Sequence, residues 1–387
     1  MSSVSRIIVF LVIALSLIGG LHYYFWARLV RDTALPAPWR QVATVGLALL
    51  GLSIPATMIL WRSHHPLRNT LAWPAFVWMG MLLILTLVVL GTDVVRLLVH
   101  AGGGARDPER RLLLARVLGA AAATLSAGLG ALALREGTRR VRVHEVEVTL
   151  PRLPKALDGF TIVQLTDIHV GGQTLHRAFI EEMVATTNSL AADVVAITGD
   201  LVDGSVDELR EQVAPLAGLK SRQGVYFVTG NHEYYAGVNQ WLAHLPTLGV
   251  RVLRNERVAV GDGTHTFDLA GVDDWSARGM PGHGPDLARA VEGRDAAREL
   301  VLLAHQPRAI HEAAKHGVGL QLSGHTHGGQ IWPWNFAVKL QQPYVAGLAR
   351  HNKDTQLYVS RGTGYWGPPM RLGAPAEITR IRLRAAG

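Results

Sequence analysis

The stretch Leu322-Ser323-Gly324-His325-Thr326-His327-Gly328-Gly329-Gln330 places two histidines between glycines, directly after a short apolar run, 318–322. The apolar run predicts a strand. Glycine permits the sharp turn and the close backbone approach that a bound ion or phosphate requires. Imidazole is a common metal ligand, so His325 and His327 are candidates for a metal site. Because paired histidines in a loop are also often exposed and without function, the prediction depends on ligands elsewhere in the chain.

The second half of the chain alternates predicted strands with predicted helices. Helical patterns cover 175–190, 206–219 and 308–315, and the strands between them are short and apolar. This alternation predicts an α/β domain with a largely parallel core. In such sheets, functional side chains lie beyond the carboxyl ends of the strands. The strands with polar residues at their ends are 160–165, 194–198, 225–229, 299–303 and 319–322.

All five of these strands end in residues of metal-binding types. The set consists of Asp167, His169, Asp200, Asn231, His305, His325 and His327. A mixture of carboxylate, imidazole and amide oxygen suits divalent first-row cations such as Mn, Fe or Zn. Seven ligand-type residues exceed what one ion with an open position needs. Two divalent metal ions that share a bridging carboxylate account for the number better.

The first 142 residues contain four long apolar stretches, at 7–26, 42–61, 71–92 and about 112–134. The first three run for 20, 20 and 22 residues without Asp, Glu, Lys or Arg, and about 20 apolar residues cross the hydrocarbon core as a helix. The fourth is rich in Ala and Gly, which suits close helix packing. We therefore predict a four-helix transmembrane region, 1–142, of a multi-pass cell-membrane protein, followed by a second domain, 143–387.

The side of the membrane that the second domain faces is not decided by charge. An even number of spans puts both chain ends on one side, and seven arginines fall on each side. The positive-inside rule therefore gives no orientation. Asp93 and Arg116 lie near span ends and can pair with each other, but separate positions at the interface are the favoured interpretation.

The basic charge of the chain is confined to its first part. Residues 1–142 hold fifteen arginines and no lysine against five acidic residues, whereas residues 143–387 hold 23 basic and 25 acidic residues. The second part therefore has no basic surface of the kind that nucleic acid requires, and we expect no nucleic-acid partner. The chain has no cysteine, which excludes disulfides, thiolate catalysis and Cys-based zinc sites.

Five polar blocks follow one another along the second half, namely Asp-X-His, Gly-Asp-X-X-Asp, Gly-Asn-His-Glu, a lone His and Gly-His-Thr-His. In this order they resemble the blocks of the calcineurin-like metallophosphoesterase superfamily over about residues 160–330. The stretches 322–333 and 361–370 resemble the branch that contains the bacterial YaeI and YkuE phosphoesterases. With its N-terminal spans, the chain is similar to the transmembrane metallophosphoesterases. The resemblance implies a two-sheet α/β/β/α sandwich for the second domain.

The resemblance also implies a role for each block. It makes Asp200 the ligand that two metal ions share. One ion would further take Asp167, His169 and His327, and the other would further take Asn231, His305 and His325. His232, next to a ligand, would contact the phosphoryl oxygen or protonate the leaving alkoxide. Asp203 would fix the tautomer of His232.

Several further residues are weaker candidates for a functional role. Glu233 is expected to bind local backbone, Asp273 and Asp274 to form a turn, and His283 to lie in a solvated loop. Five aromatic residues can form an apolar rim for a lipid or sugar, although a core or membrane-contacting role is as well supported. They are Trp332, Trp334, Tyr344, Tyr365 and Trp366. Arg350 and Arg361 are candidate phosphate contacts or solvated side chains.

The sequence therefore predicts a membrane-anchored phosphoesterase with two metal ions, whose bridging hydroxide attacks the phosphorus. The expected partners are the lipid bilayer and a phosphorylated small molecule or lipid, with a diester or phospholipid-type substrate favoured. Protein Ser/Thr phosphatase activity is disfavoured, because Gly204 and Ser205 follow Asp203 where those enzymes have Arg-Gly. A non-catalytic, metal-stabilised membrane scaffold or sensor is the alternative. The natural substrate and the oligomeric state stay open.

Overall fold

The computed structural model describes residues 3–62, 68–104, 107–172 and 174–386. The chain divides into two compact units. The first comprises the residues up to Arg135 together with Pro368–Met370, and the second comprises Glu136–Gly367 and the residues from Arg371 onward.

The first unit is built from four long helices, and each of them is long and apolar enough to cross a membrane. They are α1 (Ser3–Trp26), α2 (Ala37–Arg62), α3 (Arg68–Ala101) and α4 (Pro108–Thr138). A short π-helical segment, Ala27–Arg31, continues α1. The four predicted apolar stretches lie within these helices, so the prediction of four candidate spans is confirmed.

Helix α4 packs through a line of small residues. Its buried residues are Ala115, Gly119, Ala122, Ser126, Gly130 and Ala133, which recur every three or four positions and therefore share one face. A Cβ on Gly119 would lie 2.8 Å from Thr33, and one on Gly130 would overlap Met81. The Ala/Gly-rich sequence thus permits the close helix packing that was expected of it.

Asp93 and Arg116 do not pair with each other. Asp93 instead accepts hydrogen bonds from Tyr24 Oη at 2.7 Å and from Arg28 Nε at 3.0 Å. The Nε of Arg116 donates to the carbonyl oxygen of Thr33 at 3.1 Å. Asp93 therefore faces the end of α1 and the π-helical segment rather than α4, and it also lies 3.9 Å from Arg96 Nε of its own helix.

The described part of the second unit contains twelve strands, and the first of them follows directly after α4. They are β1 (Arg142–Leu150), β2 (Thr161–Leu165), β3 (Val194–Thr198), β4 (Val225–Val228), β5 (Val250–Val252), β6 (Glu256–Gly261), β7 (Thr266–Gly271), β8 (Leu300–Leu303), β9 (Leu320–Ser323), β10 (Gly347–Arg350), β11 (Gln356–Val359) and β12 (Glu377–Ala385). Its helices are α5 (Arg177–Ser189), α6 (Val206–Val213), α7 (Asn231–Tyr235), α8 (Val238–His244), α9 (Leu287–Ala290), α10 (Ile310–Lys315) and α11 (Trp334–Val338). The predicted helix 206–219 ends early as an α-helix, because Pro215 opens a 3-10 segment, Ala214–Gly218.

The strands form two six-stranded sheets. The first has the order β1-β12-β2-β3-β4-β5 and the second the order β10-β11-β9-β8-β7-β6. Strands β2 to β5 are parallel, as are β7, β8, β9 and β11. The sequence did not predict β12, which lies between β1 and β2 and runs antiparallel to β2.

The two sheets pack face to face and carry helices on their outer faces. Ile162 of the first sheet and Leu322 of the second belong to the buried cluster between them. Trp241 of α8 belongs to the cluster that covers the outer face of the first sheet, and Ile310 of α10 to the cluster on the outer face of the second. The predicted α/β/β/α sandwich is confirmed, and it brings the ends of β2, β3, β4, β8 and β9 to one edge.

Candidate metal centre

The polar residues that follow β2, β3, β4, β8 and β9 meet at one edge of the two sheets. Backbone hydrogen bonds join the loops directly, since Gly324 N donates to His305 O at 2.9 Å and His169 N donates to Asp200 O at 3.1 Å. The structure brings together the predicted Asp and His residues of the site, and Asn231 adjoins His232 in the chain. The site therefore arises from sheet order, because residues up to 158 positions apart in the chain lie within hydrogen-bond distance.

A first cluster consists of Asp167, His169 and His327, whose ligand atoms lie within 4.8 Å of one another. His327 Nε2 lies 3.1 Å from His169 Nε2 and 3.4 Å from Asp167 Oδ1. The three residues are buried. Nitrogen and oxygen lone pairs converge here in a region from which water is excluded, as in a protein metal site.

A second cluster consists of Asp200, His305 and His325. His305 Nε2 lies 3.1 Å from Asp200 Oδ2 and 3.2 Å from His325 Nδ1. Asp200 Oδ2 also lies 3.9 Å from His169 Nε2 of the first cluster. Asp200 therefore lies between the two clusters.

Asn231 supplies an independent test of whether a cation fits. The N–H of the next residue, His232, donates to the Asp200 carboxylate at 2.8 Å. The Oδ1 atom of Asn231 is buried, and no described residue donates a hydrogen bond to it. Leaving a buried amide oxygen unpaired costs about 1–3 kcal/mol. A divalent cation in the second cluster would satisfy this atom, so the residues present fit such a group.

Two histidines are oriented by partners behind them. His305 Nδ1 lies 2.8 Å from the carbonyl oxygen of Thr198, and His169 Nδ1 lies 2.8 Å from Asp203 Oδ1. Both partners are acceptors, so each Nδ1 carries the proton and donates. In the neutral form of each ring, the Nε2 lone pair then points into its cluster, which is the usual arrangement behind a metal-binding histidine.

Asp203 holds two histidines at once. Its Oδ1 lies 2.7 Å from His232 Nδ1 as well as 2.8 Å from His169 Nδ1. His232 Nε2 is left 4.0 Å from Asp200 Oδ2. The His232 side chain is 16% exposed, against 1% for His169, so it lies at the mouth of the site rather than inside it.

The electrostatics of the site follow from burial and from these pairs. Burial by itself lowers the pKa of His169, but the carboxylate of Asp203 raises it to about 9. Burial raises the pKa of Asp203, and the opposing effect of His169 and His232 lowers it to about 2. Burial, followed by the charge of His305, lowers the pKa of His325 to about 3. His325 is therefore neutral at physiological pH, the form in which imidazole binds a cation.

The backbone is strained at the predicted ligands. Five of them have positive φ angles, between 50° and 70°, and are not glycine, namely Asp167, His169, Asp200, His325 and His327. This conformation is uncommon for residues with a side chain and is concentrated at functional sites. The neighbouring glycines make the approach possible, because a Cβ on Gly230 would overlap the Asp200 carboxylate and one on Gly324 would overlap Asp167.

Glu233 connects the loops that follow β3 and β4 by hydrogen bonds. Its carboxylate accepts hydrogen bonds from the backbone N–H groups of Asp200 at 3.0 Å, Leu201 at 2.8 Å and Gly230 at 2.6 Å. Burial, followed by the nearby Asp200 charge, raises its pKa to about 7. The expectation that Glu233 binds local backbone is confirmed.

The turn predicted at Asp273 and Asp274 is also confirmed. Asp273 pairs with Arg254, and Asp274 accepts the N–H of Ser276 at the start of a 3-10 helix. The expectation of a solvated position for His283 is wrong. Its side chain is only 12% exposed, because it packs edge-on against Tyr234 and lies 2.9 Å from Arg254.

The predicted aromatic rim divides into exposed and buried members. Trp332, Trp334 and Trp366 are more than half exposed, whereas Tyr365 is 2% exposed and lies within hydrogen-bond distance of Thr174. Tyr344 is partly buried and its hydroxyl contacts the His351 ring nitrogen. The Trp366 ring lies 5.9 Å from the ring of His232. An apolar surface therefore borders the mouth of the site.

The two candidate phosphate-binding arginines are placed differently. Arg361 pairs with Glu377 at 2.6 Å. Arg350 is exposed and donates to the carbonyl oxygen of Lys353. Neither is among the residues of the two clusters.

Sequence reasoning missed Arg371. The side chain is fully buried and donates to the carbonyl oxygens of Ala374 at 2.8 Å and Gly364 at 3.1 Å. It also lies 3.3 Å from His327 Nδ1, behind the first cluster. Arg371 follows directly after the stretch 361–370, and no periodicity or motif in the sequence marks it as part of the site.

We expect Arg371→Met to destabilise the protein. The change leaves buried carbonyl oxygens unpaired, at a cost of about 1–3 kcal/mol, and for a unit of this size about 1 kcal/mol corresponds to roughly 2–4 °C in Tm. Thermal unfolding of the full chain in detergent should show the decrease, and Arg350→Met, on the surface, should leave Tm nearly unchanged. Equal Tm for the two variants would contradict the structural role assigned to Arg371.

The chain was also compared with known proteins. A family model described as Calcineurin-like phosphoesterase matches residues 160–329. The Bos taurus protein named Transmembrane protein with metallophosphoesterase domain is 41% identical over 366 residues, which cover 90% of this chain and 81% of the relative. An uncharacterized metallophosphoesterase from Campylobacter jejuni is 32% identical over 378 residues, which cover 97% of this chain and 98% of the relative.

A further relative matches a smaller share of this chain. The Bacillus subtilis protein named Uncharacterized metallophosphoesterase YkuE is 31% identical over 291 residues, which cover 72% of this chain and 98% of the relative. The similarity to the bovine and Campylobacter proteins extends over the helical first unit as well as the sandwich, since it covers nine-tenths or more of the chain.

Proposed function

Since the chain belongs to the calcineurin-like phosphoesterase family, we propose that it is a membrane-anchored phosphoesterase that uses two divalent cations to hydrolyse phosphate esters. The observation that carries the proposal is the pair of buried ligand clusters that meet at Asp200. Paired sites of this kind serve phosphoryl transfer, in which the attacking and the leaving oxygen both need stabilisation.

The proposed ligands follow from the clusters. One cation would be held by Asp167, His169, Asp200 and His327, and the other by Asp200, Asn231, His305 and His325. When bound, the cations would supply Lewis-acid activation of water and neutralise charge on the phosphoryl oxygens. Manganese, iron and zinc are all compatible with these donors.

His232 would act on the substrate from the mouth of the site. Because Asp203 accepts a hydrogen bond from His232 Nδ1, the outer nitrogen, Nε2, is free to approach a phosphoryl oxygen or the leaving group. A positioned histidine of this kind is typical of a general acid.

The substrate we propose is a phosphodiester, with a phospholipid-type molecule favoured. Exposed tryptophans near the site support an apolar substituent, because Trp366 adjoins His232 and Trp332 and Trp334 are more than half exposed. The four candidate spans support a location at the bilayer. The nearly balanced charge of residues 143–387 disfavours a nucleic-acid substrate.

The test is turnover by the purified full chain in detergent. We expect Mn-dependent release of nitrophenol from bis-p-nitrophenyl phosphate, abolished by a chelator and restored by added Mn²⁺. The monoester p-nitrophenyl phosphate is the comparison substrate, and a faster monoester rate would contradict the diester preference. Absence of turnover with Mn, Fe or Zn, despite measured occupancy, would instead favour the non-catalytic scaffold or sensor.

A further inference from the structure

A charged cavity lies within the helical first unit, apart from the metal centre. It has a volume of about 600 Å³, which is in the range of sites that hold small molecules and head groups. Its lining includes three arginines and a histidine against two aspartates, together with leucines. The cavity is therefore basic, and its charge suits an anion rather than a cation.

The charged residues come from three helix ends that lie on the same side of the spans. Arg28 follows α1 in the π-helical segment, Arg96 lies in the last turns of α3, and Arg111 lies in the first turn of α4. Ends of transmembrane helices lie at the depth of the lipid head groups. The π-helical form of Ala27–Arg31 is itself uncommon and is often found at functional sites.

An ion-pair network holds two of the arginines in place. Arg28 pairs with Asp32 at 2.9 Å and with Asp93 at 3.0 Å, and Arg96 pairs with Asp32 at 3.3 Å. Arg96 Nε and Asp93 Oδ1 are buried and lie 3.9 Å apart, so they form an ion pair that is longer than a hydrogen bond. Arg28 and Arg96 are therefore held along the cavity wall by the two aspartates.

Arg111 completes the basic wall without belonging to the network. It lines the cavity, and no described acidic side chain pairs with it in the structure. Guanidinium groups bind phosphate oxygens through paired, charge-assisted hydrogen bonds. Arg111 therefore adds a guanidinium without a described ion pair to a wall that Arg28 and Arg96 also line.

The apolar part of the wall indicates what carries the phosphate. Leu97, Leu112 and Leu114 line the cavity, and Leu97 is 69% exposed on a helix that is long enough to cross a membrane. The exposed Leu97 and the partly buried Leu112 and Leu114 beside a basic pocket fit a molecule with acyl chains below a charged head group. Free phosphate would make no use of that surface.

We propose that this cavity binds the phosphate of an anionic membrane lipid, at a site separate from the phosphoesterase centre. The arginines would hold the head group and the leucines would contact the upper acyl chains. The seven arginines predicted on this side of the spans would add to the attraction of anionic lipids. The proposal does not depend on the chemistry of the metal centre.

The test measures lipid binding to the full chain by native mass spectrometry in detergent, with phosphatidylglycerol and phosphatidylcholine of identical acyl chains. We expect tighter binding of phosphatidylglycerol. Arg111→Gln should weaken that binding about five-fold, while Arg111→Lys should weaken it less. Arg110→Gln, on the neighbouring exposed position outside the cavity lining, is the matched control and should bind as the unchanged protein does.

Three results would overturn the proposal. Equal binding of the two lipids would remove the requirement for an anionic head group. Unchanged phosphatidylglycerol binding in Arg111→Gln would place the lipid elsewhere, and since this arginine has no described ion pair, the variant is expected to fold. Displacement of the lipid by millimolar inorganic phosphate would identify a free-anion site instead. Turnover of bis-p-nitrophenyl phosphate should be unchanged in Arg111→Gln, which separates this result from the proposed enzyme function.

Discussion

Asp200→Asn is expected to lower phosphoesterase turnover by about 10³-fold, because it removes a charge that lies close to both ligand clusters. Asp200 Oδ2 lies 3.1 Å from His305 and 3.9 Å from His169. Cation stabilisation of transition-state charge amounts to several kcal/mol, and each 1.4 kcal/mol corresponds to about ten-fold in rate. The amide keeps the shape of the carboxylate but loses its charge, so at least one of the two cations should be lost as well.

The measurement combines metal content per chain with kcat for the diester substrate. Asp193→Asn is the control, since Asp193 is also a buried aspartate of the second unit, but it binds Thr161 and Arg222 away from the clusters. It should retain two cations per folded chain. If Asp200→Asn kept both cations and full turnover, the role of a shared ligand would be excluded.

His232→Ala should lower kcat by about 10²-fold or more while metal content stays unchanged. The ring is held by Asp203 at the mouth of the site, and loss of a positioned general acid usually has an effect of this size. The loss should be largest for substrates with alkyl leaving groups, because an alkoxide requires a proton and nitrophenolate does not. A comparison of alkyl and nitrophenyl esters therefore measures proton donation itself.

Two further variants complete this experiment. Asp203→Asn should reduce activity about 10–100-fold, as the loss of a partner behind an active histidine commonly does. His265→Ala changes an exposed histidine in a surface loop and should have no effect. His169, Asp203 and His232 are also close enough to hold a cation together. Parallel loss of metal and activity in His232→Ala would therefore make His232 a ligand and overturn the assignment of a general acid.

The spans and the sandwich could be predicted because their signals are local. A helix that crosses a membrane needs about 20 consecutive apolar residues, and each of the four stretches meets or approaches that length without reference to the rest of the chain. Alternation of short apolar strands with helical patterns likewise indicates a parallel core. The polar residues at five strand ends could also be predicted to be ligands of one site. Parallel strands bring their carboxyl ends to one edge of the sheet.

Contacts between distant side chains could not be predicted in this way. No local pattern indicates that β12 lies between β1 and β2, or that Arg371, just before that strand, lies behind His327. His283 is partly buried because Tyr234 and Arg254 contact its side chain. Asp93 pairs with α1 rather than with Arg116 because of the way the helices face one another.

The sequence by itself thus determined which residue types are present at each strand end and which segments are apolar enough to span a bilayer. Only the tertiary structure decided that Asp203 holds two histidines, that Asn231 has an unpaired oxygen and that three arginines face one cavity. The spacing of apolar residues and the local composition depend only on residues within a few positions of one another in the chain. Hydrogen bonding and burial depend on which distant segments pack together, and that is fixed by sheet order and helix packing.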